Sequence, residues 1–249
     1  MVMTTRTESL IRLWTVLLAL ICSPVLVAHA QQSTDSLKEI AQLEQQLMDG
    51  NTAQRINSLN RLAQLGNAEH AAWVFPLLQD EEQTVRRVAQ AAIWQLWGRS
   101  GDKDTDMEYQ QGLELMSAGD LPHAIDVFSH LVEQHPLFAE AWNKRATLYF
   151  MLGQFDLSIL DCEQVLKLEP RHFGALSGYA RMLISKGQFE RALDYMERAN
   201  QVNPHMPDAE EAIRNLRRQI WSRKDNMVKH DMGLKPWPAR RGSNPRPTA

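Results

Sequence analysis

Cysteine is scarce: the 249 residues hold only Cys22 and Cys162. This excludes a disulfide-stapled scaffold and leaves stability to packing. No H-E-x-x-H, P-loop, G-x-S-x-G or C-x-x-C string occurs. The common signatures of zinc hydrolases, nucleotide hydrolases, serine hydrolases and thiol oxidoreductases are therefore missing. The eight histidines are dispersed. His123 and His130 lie seven apart, a spacing that puts both on one helix face. His135, His172 and His205 stand beside prolines, where exposed turn residues are expected. On this reading the chain has no catalytic residue, metal ligand or cofactor, and a metal-binding protein, with His123 and His130 sharing a metal, or an enzyme is the remote alternative. Long apolar runs are lacking as well, except Leu13 to Val27. That stretch is short against the ~20 residues of a spanning helix and contains Pro24.

What is present begins with an asymmetry of charge. Arg6 and Arg12 precede the apolar stretch, which ends at Ala28-His29-Ala30, the ingredients of a cleaved secretory leader over residues 1–30. An uncleaved anchor is the alternative. Residues 1–30 carry net +1 and residues 222–249 net +5, so with the overall −3 the body, 31–221, sits at −9. An acidic body repels phosphates, which argues against a nucleic-acid partner. Membrane contact is left to the N-terminus or the basic tail. The expected location is outside the cytoplasm, periplasmic or envelope-associated. Removal of the leader leaves Cys162 as a lone thiol, read as a small buried hydrophobe.

The body repeats itself. Gly119, Gly153 and Gly187 are spaced by 34 residues, as are Pro136, Pro170 and Pro204. Leu121, Phe155 and Phe189 keep the same phase, with Ala124, Ser158 and Ala192, and Ile125, Ile159 and Leu193. Each period encodes a helical hairpin. In the period from Ala139, Trp142, Ala146, Tyr149 and Phe150 mark one helix. Gly153 ends it, Phe155, Ile159, Cys162 and Leu166 mark a second, and Pro170 stops that. Helices of ~12–14 residues are marginal alone and need stacked neighbours.

These residues resemble the tetratricopeptide repeat family in three units, 105–138, 139–172 and 173–206. The family's small residues fall on Gly112, Ala146 and Ala180 and on Ala124, Ser158 and Ala192, and its proline on Pro136, Pro170 and Pro204. Trp142 and Tyr149 match its aromatic places in the second unit. Glu108 and Leu115, and Leu176 and Leu183, depart from them in the other two. The resemblance implies an all-α, right-handed solenoid with a concave partner groove and no catalysis. Carried over, the groove residues are Tyr109, Leu113 and Met116, then Asn143, Thr147, Phe150 and Met151, then Ser177, Arg181 and Ile184. Asp106, Ser117, Glu140, Gly174 and Ser185 occupy further groove places. The partner implied is an unidentified protein or peptide. A terminal-carboxylate clamp found in some relatives is not implied, because Tyr109, Leu113, Gly174 and Gly178 stand at its places.

Helices are also expected before the repeats, over Asp35 to Met48, Ile56 to Leu65, Ala71 to Gln79 and Glu82 to Trp97. The stretch from Leu77 to Ala89 resembles a HEAT-like unit, giving a HEAT-like region over 31–100. Asp80 and Glu82 are expected at a helix N-terminus, and Val85, Ala89, Ala92, Ile93 and Leu96 on its buried face. Trp94 and Trp97 are read as packing residues. Gly98 to Asp102 is the one junction. After the repeats, Ala209, Ala212, Ile213, Leu216 and Ile220 mark an amphipathic capping helix over 207–221, followed by a disordered basic tail over 222–249.

Overall fold

The computed structural model describes the backbone of residues 38–231 and the side chains of 38–228. The expected leader, Leu37 and residues 232–249 lie outside the described residues. All regular elements among the described residues are helical. The chain divides into two compact units between Asp106 and Met107.

In the first unit, α1 covers 38–49 and α2 runs Thr52–Leu65. Asn51 caps α2 reciprocally: its Oδ1 accepts from the Gln54 N–H at 3.0 Å, and Gln54 Oε1 accepts from the Asn51 N–H at 2.9 Å. The helix expected over Ala71–Gln79 is instead a short α3 (Ala71–Val74) followed by a 3-10 turn, Phe75–Gln79. Pro76 explains the break, because it has no N–H to continue the α-helical ladder. Next comes α4, Gln83–Trp97, which packs on α2. The expected face, Val85, Ala89, Ala92, Ile93 and Leu96, is buried. Trp97 is buried too, edge-on to Trp94 and beside Phe75.

Asp80 and Glu82 stand at the N-terminus of α4 as expected, and Asp80 has a second role. It clamps α2 to the turn, with Oδ2 3.0 Å from Arg55 Nε and Oδ1 accepting from the Glu82 N–H at 2.9 Å. Glu82 precedes α4 without a side-chain capping bond. The junction is a tight turn: the Ser100 N–H donates to Asp106 Oδ1 at 2.7 Å, and the Thr105 N–H to Asp102 Oδ1 at 2.8 Å.

Helix α5 (Lys103–Ala118) begins before the division and continues into the second unit. It is followed by α6 (Leu121–Gln134), α7 (Ala139–Met151), α8 (Phe155–Leu168), α9 (Phe173–Ser185), α10 (Phe189–Val202) and α11 (Ala209–Asp231). The hairpin turns are copies of one another. At each, a glycine takes positive φ, 80° at Gly119, 72° at Gly153 and 70° at Gly187. The next residue's N–H reaches back five residues, as from Gln154 to the Tyr149 carbonyl at 2.8 Å. This is the Schellman closure that a left-handed residue permits. The second helices stop at 134, 168 and 202, each two residues before its proline.

Small residues set the helix spacing. An added Cβ at Gly112 would lie 2.7 Å from the Phe128 ring, so α5 and α6 touch there. Ser158 is buried in α8 and donates to the Ala146 carbonyl of α7 at 2.6 Å. Helix α11 covers the last hairpin through Ala209, Ile213 and Leu216, packed with Ala180, Leu183, Ala192 and Met196. It extends ten residues past the expected end at 221. Arg223 supports part of the extension by donating to the Gly187 carbonyl at 2.9 Å and lying 4.6 Å over the Phe189 ring. The expected disorder therefore does not hold for residues 222–231.

Candidate functional site: a cleft between the second and third hairpins

The ten carried-over residues do not form one surface. Tyr109 is buried, with Phe128 at 5.8 Å and Phe138 at 5.2 Å between ring centroids. Leu113 and Met116 pack against the same core. The first hairpin's contribution to the groove is therefore largely core, because large side chains close the space. Ile184 leans on the core of the third hairpin, and Met151 is exposed at the end of α7.

The other five converge. Asn143, Thr147 and Phe150 of α7 and Ser177 and Arg181 of α9 line a solvent-open cleft of about 150 Å³. Its floor includes Ala146, Ser158, Cys162 and Met182, and α9 adds Gly174 and Gly178. Burial pushes the Cys162 thiol up to about 12, with Asp161 and Glu163 adding to the effect, so at neutral pH it is an apolar lining atom. Thr147 Oγ1 donates to the Asn143 carbonyl at 2.9 Å and Ser177 Oγ to the Gly174 carbonyl at 3.0 Å. Arg181 is exposed and has no ion pair among the described residues.

Glycine is what opens the cleft. The residues one period before Gly174 and Gly178 are Glu140 and Lys144, whose long side chains pair at 2.7 Å. At Gly178 an added Cβ would meet nothing within 4 Å.

Beside the cleft lies a buried polar network that the sequence reading missed. Glu140, expected in the groove, is 1% exposed. Its Oε2 accepts from Asn143 Nδ2 at 3.0 Å and His172 Nε2 at 2.8 Å, and its Oε1 is 3.5 Å from the Tyr109 hydroxyl. Burial alone would raise the carboxyl's pKa. The Lys144 ammonium and the His172 hydrogen bond outweigh burial and hold it at about 2. Burial next to this anion also pushes the Tyr109 phenol far up.

His172 is a correction: it is 0% exposed, not an exposed turn residue. Its Nδ1 accepts from the Ala175 N–H at 3.1 Å and caps α9, which leaves the proton on Nε2 for Glu140. The available signal was its place immediately before Phe173, where a capping acceptor is wanted. His135 and His205 are exposed as expected. His123 and His130 are each held by their own carboxylate, Asp120 at 2.8 Å and Glu108 at 2.6 Å. Among the described residues no three His, Cys, Asp or Glu side chains group as metal ligands.

Residues 139–172 and 174–206 each match a model of the tetratricopeptide repeat. A TPR repeat-containing protein of Rhizobium etli is 35% identical over 124 residues, 50% of this chain and 61% of that protein. A small glutamine-rich tetratricopeptide repeat-containing protein of Mycosarcoma maydis is 29% identical over 94 residues, 38% of this chain and 27% of that protein. The match thus spans less than two thirds of either relative. Among solved structures, the first TPR of Spaghetti (RPAP3) bound to an HSP90 peptide aligns at 21% identity and TM-score 0.45, covering 47% of this chain and 92% of that one. The Sgt2 TPR domain of Aspergillus fumigatus aligns at 15% identity and TM-score 0.46, covering 58% and 93%. With the hairpin geometry they encode, residues 139–172 and 174–206 are tetratricopeptide repeats.

Proposed function

We propose that this protein is a non-catalytic adaptor that holds a segment of a partner protein in the cleft between α7 and α9. One observation carries the reading: five side chains expected to face a partner line one cleft. The chemistry of the cleft fits capture and not turnover. Its thiol is protonated at neutral pH, and the nearby carboxylate is committed to four donors. A surface combining an aromatic, small residues and one cation suits a docked helix or extended peptide.

The leader-like residues 1–30 support an exported, envelope-associated location. Sequencing the mature N-terminus tests that part, and a start other than Gln31 rejects the expected cleavage. For the cleft, Phe150→Ala combined with Arg181→Ala is expected to abolish partner capture while the helical circular dichroism stays unchanged. Both residues are exposed at the cleft, so neither change opens the core. Undiminished capture by the double variant rejects the cleft as the site.

A further inference from the structure

The same cleft specifies the chemistry of its occupant, an inference that rests on the reading above. We infer that it takes one bulky apolar side chain of an acidic peptide segment, with a neighbouring carboxylate of that segment on Arg181. Three features of the lining lead there.

The first is volume and polarity. Ala146, Cys162, Met182 and Phe150 line about 150 Å³. A space of that size, whose walls are apolar for the larger part, holds a phenyl-sized group. Gly178 keeps it open, since nothing lies within 4 Å of where its side chain would begin.

The second is charge. Arg181 lines this cleft and has no acidic partner among the described residues. Its guanidinium fits a carboxylate with two parallel hydrogen bonds. The chain's own segment 222–249 carries net +5 and is repelled by this cation, so it is a poor occupant.

The third is a fixed acceptor. Glu140 takes Asn143 Nδ2, which sets the orientation of the amide and leaves Oδ1 to accept. Among the described residues that oxygen has no hydrogen-bond partner, and it suits a peptide N–H of the docked segment. Apolar anchor, side-chain acceptor and cation together read a short sequence, not merely a hydrophobic surface.

The test is selection of random peptides displayed on phage against the purified full chain, followed by fluorescence anisotropy with the synthetic peptides obtained. The expected sequences carry Leu, Ile, Met or Phe close to Asp or Glu. Gly178→Leu, which fills the cleft from an unobstructed position, is expected to weaken the selected peptide at least about tenfold. Gly178→Ala with unchanged helicity is the folding control. Arg181→Glu is expected to reject the acidic peptides and, in a fresh selection, to enrich Lys and Arg instead. If no peptide is enriched, both this inference and the proposed function are lost. If peptides bind and are weakened by Gly178→Leu but lack Asp and Glu and tolerate Arg181→Glu, only this inference is lost; if they tolerate Gly178→Leu as well, the cleft is not the site and both are lost. A concentration-dependent dimer in sedimentation velocity that Gly178→Leu dissociates assigns the cleft to a second copy of the chain and overturns the inference.

Discussion

Glu140 stays ionised in the interior because Lys144, His172 and Asn143 surround it at 2.7, 2.8 and 3.0 Å. Its folded pKa of about 2 lies below the ordinary value of 4.5. The unfolded state therefore binds its proton first, and folding is favoured by ionisation. That contribution is complete above pH ~4.5, declines as pH falls, and is gone below the folded value, an effect on the order of 3 kcal/mol. Urea melts across this acid window are expected to show a falling midpoint. Glu140→Gln should be less stable at neutral pH and have a flatter acid profile; an unchanged acid slope would show that another carboxylate drives the loss. His172→Ala removes both the α9 cap and a donor to the buried anion. The cap alone is worth ~1 kcal/mol, and the stranded partner adds to it. Sequence could locate these residues but not their burial. Turn histidines and helix-surface glutamates are usually solvated, and only packing places Glu140 and His172, 32 residues apart, in contact. Tyr109 was misassigned for the same reason. The repeat phase gives a direction, but whether that direction meets solvent depends on the size of the neighbours, here Phe128 and Phe138.

The hairpin is the unit in which sequence speaks most clearly. The 34-residue phase located every turn glycine and stopping proline of α5 to α10, because each has a backbone reason to stand there. The phase also relates interactions between different residues. Arg145 pairs with Asp161 at 2.8 Å in its own hairpin and reaches Ser129 of the preceding one at 3.3 Å. One period later, Tyr179 meets Tyr195 edge-on at 4.3 Å between ring centroids and donates to Glu163 at 2.7 Å. The position bridges neighbouring hairpins in both cases, by charge in one and by aromatic contact with a hydrogen bond in the other. Elements without a repeat were read less well. Pro76 split an expected helix, and α11 outran its expected end because polar residues after Ile220 continue a helix without burying a face. At this scale Gly153→Ala tests the turn. With φ at 72°, an added side chain costs roughly 1–2 kcal/mol, read as a lower urea midpoint. Gly112→Ala should also destabilise, through the 2.7 Å approach to Phe128, whereas Gly178→Ala should stabilise by roughly 0.5–1 kcal/mol. One glycine serves a turn, one a close approach and one an opening, and only thermal melts of the three variants separate those roles.

A stack of hairpins is one-dimensional: each member is covered by its neighbours, and the last needs a lid. In the second compact unit that lid is α11. Ala209, Ile213, Leu216 and Ile220 are buried, and Arg223 ties the helix to Gly187 and Phe189. Beyond this point the helix has no body to cover, and Met227 and Val228 are exposed. The two stretches of one helix should therefore respond differently to truncation. Ending the chain after Ile220 leaves the buried stripe in place and removes the Arg223 contacts, whose expected contribution is ~1 kcal/mol. Ending it after Met206 strips the third hairpin and bares Leu183, Ala192 and Met196. Side chains of the Leu and Met class are worth roughly 1.5–3 kcal/mol each when buried. That loss exceeds what a terminal hairpin can spare, so α9 and α10 should melt before the rest. Because α9 supplies one wall of the cleft, the shorter truncation is expected to keep peptide binding and the longer one to lose it. Hydrogen exchange resolved by segment checks the order: fast exchange confined to 173–206 in the longer truncation fits a lid, whereas equal exchange in both truncations means that α11 is an appendage and the cleft stands without it.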